Sequence, residues 1–139
     1  AEFVANSKNR WDLILVDGYD EDARTGMLET LPFYATARAR LSDNGLLVTN
    51  LLTKRKEFRK SVDRLSEAFD GRALAFPSCD SGNAVAVAAA GEPLELPLEE
   101  LRENALNLKR DTGLNLLPTV TRLARSRTCS GVPEKAIKL

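Results

Sequence analysis

The feature that most constrains the fold is a short run of apolar residues, ILV in DLILV (residues 12–16), that does not alternate with polar ones. A strand buried on both faces of a parallel sheet has this pattern, whereas a half-buried strand alternates. A second such run, LLVTN (residues 46–50), follows further along the chain. The two runs therefore predict neighbouring strands of a parallel sheet.

Two stretches between and after these runs have a helical pattern. Residues 25–41 are expected to form a helix in two pieces, with Thr30 as the N-cap of the second piece and Pro32 in its first turn. Residues 55–69 form the clearest helix, because four apolar residues recur on one face: Phe58, Val62, Leu65 and Phe69. Helices that alternate with strands predict right-handed crossovers in a parallel sheet.

Turn residues separate the remaining strands. SDNG (residues 42–45) is expected to be a turn before the second strand. PSCDSGN (residues 77–83) separates two further apolar runs, RALAF (72–76) and AVAVAAA (84–90), which predicts an antiparallel pair. The predicted fold class is α/β, a partial Rossmann-like sheet of parallel strands with a C-terminal antiparallel hairpin, flanked by helices.

The chain is expected to have two parts. Residues 1–91 hold the predicted sheet, and residues 92–139 form a helical extension. GEPLELP (residues 91–97) has the composition of a linker, and helices are expected around residues 98–108 and 120–124. The tail from Arg125 is polar and is expected to be mobile.

Composition excludes several classes of function. The 139 residues carry no formal net charge and no histidine, which removes Ser-His-Asp and Cys-His catalysis and gives no sign of a nucleic-acid partner. No apolar run is long enough to cross a bilayer. Cys79 and Cys129 have no metal-binding spacing, and together these features predict a reduced, cytoplasmic protein. No metal site is expected, because the acids of DGYDED (residues 17–22) lack the pattern of a calcium loop.

Polar side chains follow both predicted parallel strands. Asp17 and Asp20 come directly after the first strand, and Asn50 ends the second. Ligands of open α/β sheets bind beyond the carboxyl ends of the strands, so two carboxylates at this position suit a cationic ligand or proton removal from an amine. The alternative is that these acids begin a loop or cap a helix, and spacing alone leaves both interpretations open.

Three segments in order resemble the second half of spermidine synthases, which are polyamine aminopropyltransferases with a fold shared with S-adenosylmethionine-dependent methyltransferases. The segments are WDLILVDGYD (11–20), FYATARARLSDNGLLVTNL (33–51) and FPSCDSGNAVAVAAAG (76–91). In the family, a strand similar to YDVIIVD begins a D-x-x-D pattern, a helix carrying FY follows, and YPSG precedes a last strand. The resemblance extends from about Phe3 to Gly91, and LNLKRDTGLNLLP (106–118) resembles the tail of bacterial members.

The resemblance implies roles for individual residues. Asp17 matches the acid that deprotonates the attacking amine, and Asp20 matches the acid that holds the ammonium group of the substrate. The matching positions imply substrate contacts at Tyr19, Phe76 and Ser78, and cofactor contacts at Asp17, Gly18 and Asn50. Decarboxylated S-adenosylmethionine, or S-adenosylmethionine itself, would be the co-substrate of the intact protein, with none tightly bound.

The sequence departs from the family at several of these positions. Phe76 replaces a tyrosine, Cys79 replaces a glycine and Asn50 replaces a glutamine. The family's glycine-rich nucleotide loop, which precedes the D-x-x-D strand, has no counterpart in these 139 residues. We therefore expect a piece of a longer enzyme that forms a homodimer or associates with its missing N-terminal half. A methyltransferase-like protein or a non-catalytic, dimer-forming remnant is the alternative.

Overall fold

The computed structural model describes residues 1–22, 25–76, 82–126 and 136–139, with the backbone alone at residues 125 and 126. The chain divides into two compact units, Ala1–Pro93 together with Leu139, and Leu94–Lys138. The first unit contains the larger sheet. Its elements are α1 (Glu2–Asn6), β1 (Trp11–Val16), α2 (Leu31–Ala39), β2 (Leu41–Leu52), α3 (Phe58–Ala68), β3 (Ala73–Ala75) and β4 (Asn83–Ala89).

The sheet of the first unit has four strands in the order β1-β2-β4-β3. β1 and β2 are parallel, and β4 is antiparallel to both β2 and β3. β3 therefore runs in the same direction as β2, and the antiparallel strand of the hairpin lies between them. This architecture confirms the predicted fold class of an open α/β sheet with parallel strands and an antiparallel hairpin.

The register between β1 and β2 changes near their beginnings. Trp11 lies opposite Leu41, whereas Leu13 lies opposite Leu46, so β2 advances by five positions while β1 advances by two. The expectation of a turn at SDNG before the second strand is wrong, because these residues lie in the irregular part of β2 itself. Its backbone stays bonded to the sheet, because the Ala90 N–H donates to the Gly45 carbonyl oxygen at 2.9 Å.

The hydrophobic core lies on one face of the sheet, where α2 and α3 pack. Leu47 and Leu51 of β2 are almost fully buried, and the small side chains of Ala86 and Ala88 on β4 leave room for helices. The predicted stripe of the second helix is confirmed by Leu65 and Phe69, which are fully buried. Further core side chains come from both helices and from β1: Ile14, Phe33, Tyr34, Ala37 and Ala68.

Helix α2 begins at the predicted cap. The Thr30 hydroxyl accepts the Phe33 N–H at 3.4 Å and donates to the Met27 carbonyl oxygen at 2.8 Å. The first piece of the expected helix is wrong, because residues 26–29 form turns. Turn backbone bonds, including Leu28 N–H to the Thr25 carbonyl oxygen at 3.0 Å, replace a continuous helical ladder there.

The second unit contains two helices and a small sheet, namely β5 (Glu95–Pro97), α4 (Leu98–Thr112), α5 (Leu117–Ser126) and β6 (Ala136–Lys138). Both helices were expected, and Gly113 ends α4 with a left-handed backbone (φ 80°) that favours glycine. The expected linker contains β5 and the end of the expected mobile tail contains β6. These two strands pair in an antiparallel sheet, which differs from the expectation for both segments. No helix in the described part of the chain is long and apolar enough to cross a membrane.

Candidate functional site

The candidate site lies where the parallel strands β1 and β2 end. Asp17 follows the last residue of β1 and is exposed, and Asn50 lies near the end of β2. The Asn50 side-chain amide donates to Asp17 Oδ1 at 3.1 Å. The structure therefore brings together the two polar residues that the sequence places at neighbouring strand ends, and it fixes one carboxylate oxygen of Asp17.

Gly18 allows the chain after Asp17 to pass close to the core. A Cβ atom built at Gly18 would overlap the end of the Leu28 side chain, which packs against the core. A residue larger than glycine would force Leu28 to move. The predicted cofactor-binding role of Gly18 stays a prediction, while its steric role follows from this contact.

Tyr19 is tied to the end of β2 through its hydroxyl group. The Tyr19 hydroxyl oxygen lies 3.1 Å from the Asn50 carbonyl oxygen and accepts the Leu52 N–H at 3.1 Å. It donates at 2.8 Å to Oε1 of Glu29. The Tyr19 hydroxyl is thus held by one hydrogen bond that it donates, to Glu29, and one that it accepts, from Leu52.

Glu29 is a buried carboxylate that sequence reasoning missed. It is 8% exposed, and its second oxygen accepts the Ser61 hydroxyl of α3 at 2.5 Å. The Arg55 guanidinium lies 3.6 Å from Glu29 Oε1. A buried carboxylate needs such partners, because it loses its hydration. No local sequence signal identifies Glu29, since Tyr19 and Ser61 are 10 and 32 residues away.

Burial affects two tyrosines beside this carboxylate. Burial, together with the hydrogen bond to Glu29 and the negative charge of Glu29, raises the pKa of Tyr19 to about 12. Burial also raises the pKa of Tyr34 well above its ordinary value, and the charge of Glu29 acts in the same direction. The Tyr19 hydroxyl is therefore protonated at neutral pH and able to donate.

Asp20 lies on the surface of the same loop. Its side chain is exposed, and Oδ1 accepts the Asp22 N–H at 3.0 Å. This bond shapes the loop locally, as is common for aspartate in turns. Asp20 lies in the same loop as Asp17 and is exposed, and its predicted substrate-binding role stays a prediction.

Phe76 lies two strands away from Asn50 at the same end of the sheet. Its N–H donates to the Val85 carbonyl oxygen at 2.8 Å, and Val85 of β4 is the cross-strand partner of Asn50. Adjacent strands are about 4.8 Å apart, so Phe76 is about 10 Å from Asn50 across the sheet. Ser78, the other predicted substrate contact, lies outside the described residues.

A cavity lies at the opposite end of the sheet. It measures about 710 Å³ and includes Arg10 before β1, Leu41 at the start of β2 and Arg72 before β3. Its arginines already have partners: Arg38 and Arg72 both bind Asp70 Oδ2, at 2.6 and 3.2 Å, and Arg10 binds Asp43 at 3.1 Å. Because it lies at the opposite end of the sheet, this cavity is remote from Asp17. The positive charges of its arginines are paired with the aspartates beside them.

The described residues hold no group of three His, Cys, Asp or Glu side chains that would bind a metal ion. The chemistry that the strand-end loop offers comes from its own side chains. Two exposed carboxylates attract a cation or accept a proton, and a network of hydrogen bonds holds the loop that carries them.

These features define an open α/β sheet with two acids after the carboxyl end of β1 and an amide side chain near the end of the parallel strand β2. No protein-family model matches the sequence. Curated relatives do: the polyamine aminopropyltransferase of Neisseria meningitidis serogroup A is 30% identical over 131 residues, which are 94% of this chain and 50% of the relative. The polyamine aminopropyltransferase of Chromobacterium violaceum is 31% identical over 126 residues, 91% of this chain and 48% of the relative.

Solved structures agree with these relatives. A spermidine synthase in complex with the transition state analogue AdoDATO has a TM-score of 0.56 and 25% identity, over 66% of this chain and 34% of that one. The Thermotoga maritima spermidine synthase, at 24% identity and a TM-score of 0.52 over 65% of this chain and 32% of that one, shares the fold. The chain is thus related to polyamine aminopropyltransferases and spans about half the length of the curated relatives it matches.

Proposed function

We propose that this chain carries the amine-activating part of an aminopropyltransferase. The observation that supports the proposal most directly is the D-x-x-D loop at the carboxyl end of β1, with Asp17 bound to Asn50 of the neighbouring strand. The relationship to polyamine aminopropyltransferases supplies the class of reaction. The co-substrate in the proposal is decarboxylated S-adenosylmethionine.

In this proposal Asp17 is the general base. An amine that is protonated at neutral pH cannot attack, because its lone pair is occupied, and transfer of that proton to Asp17 frees the lone pair. The nitrogen then forms a bond to the aminopropyl carbon beside the sulfonium. The carbon–sulfur bond breaks, its electron pair passes to sulfur, and methylthioadenosine leaves as a neutral thioether.

Asp20 and the strand ends position the substrates. The second ammonium group of a diamine binds Asp20, whose charge offsets the cost of removing that ammonium from water. Phe76 contributes an apolar ring where the family has a tyrosine, so a hydroxyl beside the amine is missing. The acceptor is therefore an amine that does not depend on that hydroxyl.

An activity assay tests the proposal. The chain is combined with the N-terminal half of the Neisseria meningitidis relative, because it spans only half of that relative. Methylthioadenosine release from decarboxylated S-adenosylmethionine and 1,4-diaminobutane is measured. We expect Asp17→Asn to lower kcat about a hundredfold, as for loss of a general base, and Asp20→Asn to raise KM for the amine.

Asp43→Asn is the matched control, because Asp43 is also an exposed acid but lies at the opposite end of the sheet. We expect its activity to equal that of the unaltered chain. A fully active Asp17→Asn variant would contradict the role of Asp17. Methyl transfer from S-adenosylmethionine in place of aminopropyl transfer would favour the methyltransferase-like alternative.

One observation favours a second function, that of an association module. Among the described residues β1 pairs only with β2, and Leu13 and Leu15 on β1 are 51% and 69% exposed. An apolar edge strand of this kind is a template for pairing with another polypeptide. We propose a homodimer, or association with the polypeptide that supplies the rest of the sheet, as the partner arrangement.

A further inference from the structure

We infer that Glu29 and Tyr19 are positioning residues that hold the loop of residues 17–22, here called the acid loop, in the geometry needed to bind an amine. The inference rests on the proposed function and extends it to two residues that take no part in the chemical step described above. It starts from the buried carboxylate of Glu29, which the general-base mechanism does not use. Glu29 is 8% exposed, although an acid that precedes a helix usually lies in water.

Glu29 is fixed from the side of α3. Ser61, which is fully buried on α3, donates its hydroxyl to Glu29 Oε2 at 2.5 Å. Arg64, also on α3, donates to the Glu29 backbone carbonyl oxygen at 3.3 Å. Arg55 adds an ion pair at 3.6 Å from Oε1. These contacts give the carboxylate a defined position relative to the helix.

Tyr19 links Glu29 to the acid loop. Its hydroxyl donates to Glu29 Oε1 at 2.8 Å and accepts the Leu52 N–H at 3.1 Å. Because Tyr19 lies between Asp17 and Asp20 in sequence, an anchored Tyr19 side chain restricts the backbone on both sides of it. Without the anchor, the hydrogen bonds from Asn50 to Asp17 and from the Asp22 N–H to Asp20 would remain, but Tyr19 would no longer tie the loop to Glu29 and to the end of β2.

The arrangement matters for binding because the two charges of a diamine are joined by a short chain, so both can be met only by carboxylates that lie within its reach. A loop that holds its two carboxylates in place before binding does not lose conformational entropy when the amine arrives. Glu29 and Tyr19 therefore act on affinity for the amine, and a general destabilisation of the protein would not reproduce their effect.

Three variants of the full chain test the inference. Tyr19→Phe keeps the ring and removes the hydroxyl. Glu29→Leu removes the acceptor, and Glu29→Gln keeps an oxygen that accepts from Tyr19. Asp70→Asn is the stability control, because it breaks ion pairs at the other end of the sheet. The measurements are hydrogen exchange of the backbone amides of residues 18–22, affinity for 1,4-diaminobutane by calorimetry, and Tm.

We expect Tyr19→Phe to accelerate exchange in the loop and to weaken diamine binding about fivefold, the equivalent of one lost hydrogen bond. Glu29→Leu should do the same, and Glu29→Gln should restore most of the affinity. Asp70→Asn should lower Tm without changing loop exchange or affinity. If Glu29→Leu does not fold, Tyr19→Phe and Glu29→Gln still decide the outcome.

The two proposals fail in different ways. Unchanged loop exchange and affinity in Tyr19→Phe would overturn the positioning role, while leaving the aminopropyltransferase proposal intact. Equal losses of affinity in Tyr19→Phe and Asp70→Asn would also overturn it, because the effect would then be one of stability. An unaltered chain that has a protected loop but binds no diamine would overturn the proposed function and, with it, this role.

Discussion

At the scale of single residues, Tyr19 differs from the acids beside it because its hydroxyl is protected from water. Burial raises its pKa to about 12, above the ordinary value of 10. The folded protein therefore retains a proton that the unfolded chain loses. The stability from this difference is fully present below pH 10 and is lost as the pH rises from 10 to about 12.

Chemical denaturation at alkaline pH tests this difference. We expect the free energy of unfolding of the unaltered chain to fall between pH 10 and 12, and we expect the fall to be smaller in Tyr19→Phe. Tyr34, whose pKa burial and the charge of Glu29 also raise, is present in both proteins and contributes a loss of stability to each. Parallel curves for the two proteins would contradict the assigned protonation of Tyr19.

The proximity of Asp17 and Asn50 at the strand ends was predictable from the sequence, whereas the burial of Glu29 was not. Asp17 and Asn50 follow apolar runs, so their neighbourhood follows from the rule that parallel strands end at the same edge. The structure bonds them at 3.1 Å. Glu29 follows a methionine and a leucine and precedes a helix cap, a position typical of a surface acid. Its burial depends on Ser61 of α3, 32 residues away.

At the scale of elements, the N-cap of α2 makes a contribution that is separate from core packing. Thr30 accepts the Phe33 N–H and donates to the Met27 carbonyl oxygen, so it joins the helix to the turn before it. We expect Thr30→Ala to lower the free energy of unfolding by about 1 kcal/mol, the usual effect of removing a threonine cap. Urea denaturation measures this change.

Thr36→Ala is the matched control for the cap. Thr36 lies within α2, and its hydroxyl donates to the Pro32 carbonyl oxygen at 2.7 Å, a bond that helices do not need. Alanine has a higher helix propensity than threonine, so we expect no loss of stability. Equal losses in the two variants would contradict a specific capping role for Thr30.

Elements with a regular apolar pattern, or with turn residues at their ends, were predictable from the sequence. Strands that form by pairing with a distant segment were not. α3 was predicted from its apolar stripe, and the hairpin of β3 and β4 from the turn residues between them. The insertion of β4 between β2 and β3 has no signal in either strand alone. β5 and β6 have three residues each, too few to show a period, and they pair across the two helices of their unit.

At the scale of the whole molecule, the exposed edge of β1 predicts self-association or a partner. Leu13 and Leu15 lie on the face that α2 and α3 do not cover. We expect the chain to form dimers or larger species in light scattering, and we expect Leu15→Lys to reduce them, because a charge on an edge strand opposes pairing.

Leu106→Lys is the control for this experiment. Leu106 lies on α4 and is 50% exposed, so the substitution adds the same charge at a site outside the sheet. We expect its association to match that of the unaltered chain. A chain that is monomeric at all concentrations would count against the association module and the proposed partner arrangement.

In the proposed function, the acids at the end of β1 bind a positively charged amine. Titration with 1,4-diaminobutane, followed by the backbone amide signals of the whole chain, tests it most directly. We predict shifts confined to residues 17–22 and the end of β2, and their loss when Asp17→Asn and Asp20→Asn are combined. Shifts that survive in this double variant, or that lie around Asp43 and Asp70 at the opposite end of the sheet, would contradict the claim.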